Sequence, residues 1–421
     1  MKTSEIESRR QRVELAWSLE DELVIVGAGQ PIGVPGGADQ VYPYKPHPQY
    51  RWLTDRSREG GVIAFDPKEG WHLFEPPITE QELVWGGSDA PVGRPIQCLT
   101  EWIRRRPGRP VAGLGCISEQ ILVDEKLSKR LHILLDHTRR PKDAMEVYLM
   151  RRSATATSAG YAAIKEVIQP GRSEREVQVE FEAAIARAGA DGVGYATIVG
   201  SGPNSAVLHG KPSARRILEG DLVLVDAGAE VEGYVTDVTR TFPANGHFSE
   251  DQKWFYKAVL KALETATQAC RVGIEWLDVH LIAAYSLAES LAEAGMLTCS
   301  PEEALESEAI SLFFPHGIGH MVGLGVRDAG GPLPGRNGDR TAAGSKIRMD
   351  LPLEAGYTVT IEPGIYFIPA VLTDSNRREK FKTQVNWCEV NPWIGRGGIR
   401  IEDNVLVTSG SPIVLTEAIP K

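Results

Sequence analysis

The sequence is short of cysteine, of uninterrupted apolar residues and of net positive charge, and each shortage removes a class of protein. Its five cysteines, Cys98, Cys116, Cys270, Cys299 and Cys388, lie far apart with no Cys-x-x-Cys pair. An odd, dispersed set argues against a disulfide framework and a thiolate zinc site, leaving small buried hydrophobes or inert thiols. No stretch reaches the roughly 18 apolar residues of a membrane span. Residues Met1 to Asp21 mix Glu, Arg and Ser without the apolar run of a signal peptide. Asp and Glu number 56 against 46 Lys and Arg, so no broad basic face is available to nucleic acid. Short-period repeats are also lacking, which sets aside solenoids and propellers. The expectation is a protein of a reducing, cytoplasmic compartment with neither nucleic acid nor membrane as partner.

What is there divides in two, as 421 residues exceed the usual span of one hydrophobic core. A helix is expected at Glu5 to Ser18, followed by strand-like runs at Leu23–Val26, Val62–Phe65, His72–Phe74 and Val111–Cys116. This is the pattern of a small α/β domain. Near Arg139-Arg140-Pro141-Lys142 an Ala-rich helical stretch begins, running from about Asp143 to Val167, and Pro170-Gly171 closes it. The boundary is placed there, giving domains 1–140 and 141–421. Ser173-x-x-Glu176 is a capping-box signature for the next helix. Beyond it, apolar runs at Leu222–Val225 and Val359–Ile361 flank helical segments at Asp251–Ala269 and Trp276–Ala294, so the chain as a whole reads as α+β. Gly330–Arg348 and Pro369–Gly398 read as long loops, either functional or plain surface insertions.

Four segments carry chemistry. Leu222-Val-Leu-Val-Asp226 and Gly233-Tyr-Val-Thr-Asp237 suggest a hairpin; a turn centred on Val231–Glu232 would make Asp226 and Asp237 cross-strand partners. Pro315-His316-Gly317-Ile318-Gly319-His320 is too rich in glycine for a helix and reads as a tight loop. Thr358-Val-Thr-Ile-Glu362-Pro363-Gly364 ends a strand in a glutamate. In Gly397-Gly398-Ile399-Arg400-Ile401-Glu402, alternation puts Arg400 and Glu402 on one face. Each segment alone has a bland reading: a strand-end Asp caps turns, and a lone His-x-x-x-His is more often structural. Together the four carboxylates and His320 can hold two divalent ions, whose charge would cancel that of the carboxylates. The oxygen-rich, thiolate-free set suits Mn²⁺ first, with Co²⁺ or Zn²⁺ as alternatives. Paired ions at about 3.5–4 Å activate water and polarise a carbonyl, so hydrolysis is the expected reaction class.

In this order and context, the segments resemble the pita-bread metallopeptidases over most of residues 140–410. Gly200-Ser-Gly-Pro-Asn204-Ser-Ala-Val-Leu-His209, Phe242-Pro-Ala-Asn-Gly and the long stretch between Glu362 and Glu402 are similar to the Xaa-Pro dipeptidases within that family. The resemblance implies a small N-terminal α/β domain serving dimerisation and substrate access, a pita-bread catalytic domain, a homodimer, and a small peptide as substrate. It implies that Asp226 binds one metal, that Asp237 and Glu402 bridge both, and that His320 and Glu362 complete the second site. Glu362 would move a proton, His316 would stabilise an oxyanion and His209 would lie near the prolyl end. Arg400 and Tyr366 would stand beside the metals, with Tyr366 counted among the substrate-binding residues. Arg348, fourteen residues before Glu362, matches the arginine that grips the substrate's C-terminal carboxylate.

Two positions depart from the family pattern. Gly210 stands where a tyrosine is usual, and Val326-Arg327-Asp328 replaces Val-His-Asp, whose histidine contacts substrate. Arg327 is expected to help hold the prolyl carboxylate instead. Alternatives to the dipeptidase are an aminopeptidase P acting on longer Xaa-Pro peptides, a hydrolase of organophosphate-type esters, and a binding module of the same fold.

Overall fold

In the computed structural model, which describes residues 3–87, 93–336 and 338–421, the apolar runs of the first unit, Met1–Arg139, become its sheet. Its elements are α1 (Thr3–Trp17), β1 (Leu23–Ala28), α2 (Pro48–Thr54), β2 (Val62–Asp66), β3 (Gly70–Glu75), α3 (Glu80–Gly86), β4 (Arg94–Pro95), α4 (Cys98–Arg104), β5 (Val111–Cys116) and α5 (Glu125–Arg139). The strand order is β4-β3-β2-β1-β5, with β1 parallel to β5 and antiparallel to β2. Both β1 and β2 are buried along their whole lengths, so they read as unbroken apolar runs without alternation. Leu23, Ile25, Ala64 and Phe74 form the core with Leu99 and Trp102 of α4.

In the second unit, Arg140–Lys421, α6 (Ala144–Ile164) starts in a capping box of Asp143 and Glu146, and α7 (Glu174–Arg187) in the expected box of Ser173 and Glu176. The strands β6 (Gly192–Val193), β7 (Ile198–Ser201), β8 (Leu222–Asp226), β9 (Ala229–Val231), β10 (Tyr234–Val235) and β11 (Thr239–Pro243) follow, then α8 (Glu250–Ala269), α9 (Trp276–Glu293) and α10 (Pro301–Glu306). Three two-residue strands, β12 (Gly331–Pro332), β13 (Thr341–Ala342) and β14 (Ser345–Lys346), punctuate the first expected loop, and a fourth, β15 (Met349–Asp350), follows it directly. Next come β16 (Thr358–Ile361), β17 (Gly364–Phe367), α11 (Pro369–Leu372), α12 (Ser375–Lys380), α13 (Trp387–Val390), β18 (Gly397–Arg400), β19 (Asp403–Leu406) and β20 (Ile413–Val414). The second expected loop, Pro369–Gly398, is therefore largely short helices. Each spans at most six residues, too few for an apolar period to show in the sequence.

Alternation along the strands separates structure from chemistry. In β8, Val223 and Val225 pack on Tyr161, Ile164 and Phe181 of α6 and α7, while Asp226 is left on the opposite face from Val225. Val359, Ile361, Ile399 and Ile401 join Val259, Leu263, Leu287 and Leu291 of α8 and α9 in a second core. That turns Thr360, Glu362, Arg400 and Glu402 the other way. All five cysteines are unpaired, and among the described residues no helix is long and apolar enough to cross a membrane.

Candidate functional site

The hairpin that carries the two aspartates is real, but its register differs from the expected one. Its two-residue turn is Glu232–Gly233, with φ of 52° and 87°, the left-handed pair that a tight hairpin with right-handed twist demands. Moving the turn by one residue moves each partner by two, so Asp226 faces Thr239 and Asp237 lies diagonally from it. A two-residue slip keeps the face, so the carboxylates still converge. Between the strands, a Cβ on Gly228 would collide with the Thr236 carbonyl, which makes glycine the residue that lets the ribbon close there.

Glu402 enters from the other side. Its N–H donates to the Thr239 carbonyl at 3.0 Å, and the Thr239 hydroxyl donates to its Oε2 at 2.7 Å. The carboxylate oxygens of Asp226, Asp237 and Glu402 lie within 4.8 Å of one another, and all three residues are buried. Arg400 ties the group together: Nη2 donates to Asp226 Oδ2 (2.5 Å), Nε to Thr239 Oγ1 (3.0 Å) and Nη1 to the Tyr366 hydroxyl (3.0 Å). The Tyr195 hydroxyl donates to Asp226 Oδ1 at 2.7 Å. Asn404 holds the Asp237 backbone, accepting from its N–H at 3.0 Å and donating to its carbonyl at 2.6 Å.

The histidine loop is irregular, as expected, and it zips against β16: Thr360 N–H donates to the His320 carbonyl and Glu362 N–H to that of Ile318, each at 2.8 Å. A carbonyl carries no proton, so the contact of His320 Nδ1 with the Met321 carbonyl at 2.9 Å places the ring proton on Nδ1. Nε2 then faces Asp237 Oδ2 at 3.4 Å and Glu362 Oε1 at 4.0 Å. The same logic applies to His316, whose Nδ1 donates to the Gly317 carbonyl and whose Nε2 accepts from the Tyr366 hydroxyl, both at 2.9 Å. Burial and the Arg400 charge push His316 down to about 3, so it is neutral, and its one N–H is already engaged.

Burial pushes the Asp226 carboxyl up to about 6 even beside Arg400, and burial raises Glu362 as well. Glu402 rises well above the usual range through burial and its carboxylate neighbours. Buried carboxylates crowded together, facing an imidazole nitrogen, form a donor set that divalent cations satisfy. An oxygen-rich set with one nitrogen and no sulfur suits a hard or borderline ion.

These residues line one cavity of about 330 Å³ together with His209, Lys211, Arg327 and Arg348. Ile198, Leu208 and Val326 supply apolar wall. Arg348 Nη1 stands 3.7 Å from Glu362 Oε1. Burial, then the charges of Arg348, Arg400 and Arg327, lower His209. Tyr366 is a correction: fully buried, it lies outside the cavity lining, behind His316 and Arg400. A tyrosine at a strand end looks the same in sequence whichever way it faces. Nor does any residue of Pro369–Gly398 line the cavity. Tyr195, Lys211, Thr239 and Asn404 escaped the sequence reading; Thr239 and Asn404 sit within two residues of a singled-out acid, while Tyr195 has no local signal.

Residues 148–409 match the profile of metallopeptidase family M24. A probable Xaa-Pro aminopeptidase of Sordaria macrospora is 31% identical over 85% of this chain and 74% of its own length. The human Xaa-Pro dipeptidase is 34% identical over 66% of this chain and 58% of its own. The structure of aminopeptidase PepP from Pseudomonas aeruginosa superposes with a TM-score of 0.79 at 26% identity, covering 99% of this chain and 96% of that one. With residues 148–409 matching the family profile and the fold shared along nearly the whole chain, the chain belongs to metallopeptidase family M24 and has its pita-bread fold.

Proposed function

We propose that this chain hydrolyses the bond before proline in Xaa-Pro dipeptides, using two divalent ions, Mn²⁺ first. Asp226 would hold one ion, His320 and Glu362 the other, and Asp237 and Glu402 would serve both. Bound there, the ions supply an activated water and polarise the scissile carbonyl. Glu362, its carboxyl raised above the ordinary carboxylate range by burial, takes and returns the proton that passes to the prolyl nitrogen. The donor to the developing oxyanion is better sought in His209, which faces the cavity, than in His316, whose N–H is held by Gly317.

Arg348 carries the choice of a dipeptide. It is a guanidinium facing a cavity of about 330 Å³, at the small end of ligand pockets of about 300–1,000 Å³. Its nearest anion is the edge of Glu362 at 3.7 Å, which leaves its fork for a terminal carboxylate. A second reading, aminopeptidase P acting on longer peptides, is favoured by the names of the Sordaria and Pseudomonas proteins. Release of the free Xaa residue from Xaa-Pro dipeptides and from Xaa-Pro-Yaa tripeptides, with Mn²⁺ added or chelated, separates them. Dipeptide turnover that stops on chelation supports the first; turnover confined to tripeptides replaces it with the second.

A further inference from the structure

The segments that carry Asp237 and Glu402 meet at one buried guanidinium, Arg240, which is 1% exposed. Each of its five N–H groups finds an acceptor. Nη1 donates to the Thr239 carbonyl at 2.9 Å and to that of Glu402 at 2.7 Å. Nη2 donates to Asp403 Oδ1 at 2.8 Å and to the Ile419 carbonyl at 2.9 Å, and Nε to the Pro420 carbonyl at 2.9 Å. One planar fork thus joins β11, the step from Glu402 to Asp403, and residues 416–421, none of which lines the cavity.

The same segment reaches the other shared ligand. Thr416 Oγ1 donates to Asp403 Oδ1 at 2.8 Å and accepts from Asn404 N–H at 3.1 Å, while Leu415 N–H donates to the Asn404 carbonyl at 2.8 Å. Asn404 in turn holds the Asp237 backbone through both its N–H and its carbonyl. Lys421 Nζ pairs with Asp403 Oδ2 at 2.8 Å, and Ile419 belongs to the same core as Val225 and Val238, the chain neighbours of Asp226 and Asp237. A buried network in which every donor is engaged resists displacement, since a shift leaves some group unpaired. Two carboxylates that serve a pair of ions must keep one separation, and a displaced backbone changes it for both ions at once. Resting on the two-ion reading above, we infer that Arg240 and residues 416–421 form a brace that sets the separation of Asp237 and Glu402. Arg240 is a positioning residue: it acts on the backbone of Glu402 directly and on that of Asp237 by way of Asp403, Thr416 and Asn404.

The test is calorimetric titration of the metal-free protein with Mn²⁺, beside thermal unfolding of the same metal-free samples. Arg240→Lys keeps the buried charge beside Asp403 but brings one nitrogen to five acceptors. It should weaken the binding of both ions by about 10–100-fold, the range for partners that orient metal ligands. Thr416→Val keeps the shape of the side chain and should weaken both by about fivefold, as the loss of one net hydrogen bond implies. Where Arg240→Lys fails to fold, Thr416→Val decides. The double variant should lose less than the product of the single losses, because both act on one brace. A lowered melting temperature with unchanged Mn²⁺ affinity would show a merely structural role and overturn the brace. So would a loss confined to one of the two ions, or strictly multiplicative losses. Failure of the unaltered protein to take up a second Mn²⁺ ion would instead remove the two-ion reading on which the inference rests.

Discussion

Arg400 Nη2 and Asp226 Oδ2 meet at 2.5 Å across 174 residues of chain, and through that bond the strand β18 sets the orientation of a carboxylate on β8. The same guanidinium holds Thr239 and Tyr366, so three bonds depend on one planar fork. Lysine offers a point charge in its place. Arg400→Lys is expected to weaken metal binding by about 10–100-fold, the usual cost of losing a partner that orients a ligand. Metal titration of the purified variant checks this, and wild-type affinity would show that Asp226 is oriented by other means.

Asp237→Ala and Glu402→Ala should each remove turnover and lower the bound metal, because each carboxylate is assigned to both ions. Elemental analysis after gel filtration gives the stoichiometry. Full stoichiometry with full activity would take either residue out of the centre.

The pair Lys142–Asp328 is buried on both sides, so Asp328→Asn takes the carboxylate's charge away from a buried ammonium. Loss of one partner of a buried pair costs about 3–5 kcal/mol of stability, readable in denaturant unfolding. Asp328 also fastens the loop that carries Arg327, so the variant should raise KM for Xaa-Pro. A stable variant with altered KM would still support that positioning role, whereas a destabilised variant with unchanged KM would refute it.

His280 gives a pH dependence independent of the metals. It is fully buried, stacks on Phe314 with ring centroids 5.5 Å apart, and has no partner for Nδ1 among the described residues. Burial lowers it to about 4 from about 6.5 in an unfolded chain. The folded state thus binds fewer protons than the unfolded one between these values. The associated stability is fully present above about pH 6.5 and is lost as pH falls through about 4, to the extent of about 3 kcal/mol. His280→Phe should flatten that part of the curve in thermal melts from pH 7 to 4. An unchanged slope would assign it to other groups.

The sequence by itself determined which segments matter. Asp226, Asp237, His320, Glu362 and Glu402 each stand at the end of an apolar run or in a glycine-rich loop, where local pattern is legible. The capping boxes and long helices were readable for the same reason, since their signals repeat within a few residues. What only the tertiary structure decided are relations between distant residues and the direction a side chain faces. The hairpin register was set by one residue of turn geometry at Glu232–Gly233, and Tyr366, which the resemblance counted among the substrate-binding residues, was turned behind His316 and Arg400. Tyr195 was recruited with no local mark. The tautomers of His316 and His320 follow from carbonyls that only the folded loop supplies. Arg327 shows the division most plainly: its identity is written in the chain, but the loop that carries it is fastened by Arg140, Lys142 and Asp328. Buried charges and backbone donors must find partners wherever folding brings them, and that pairing has no period that a sequence displays.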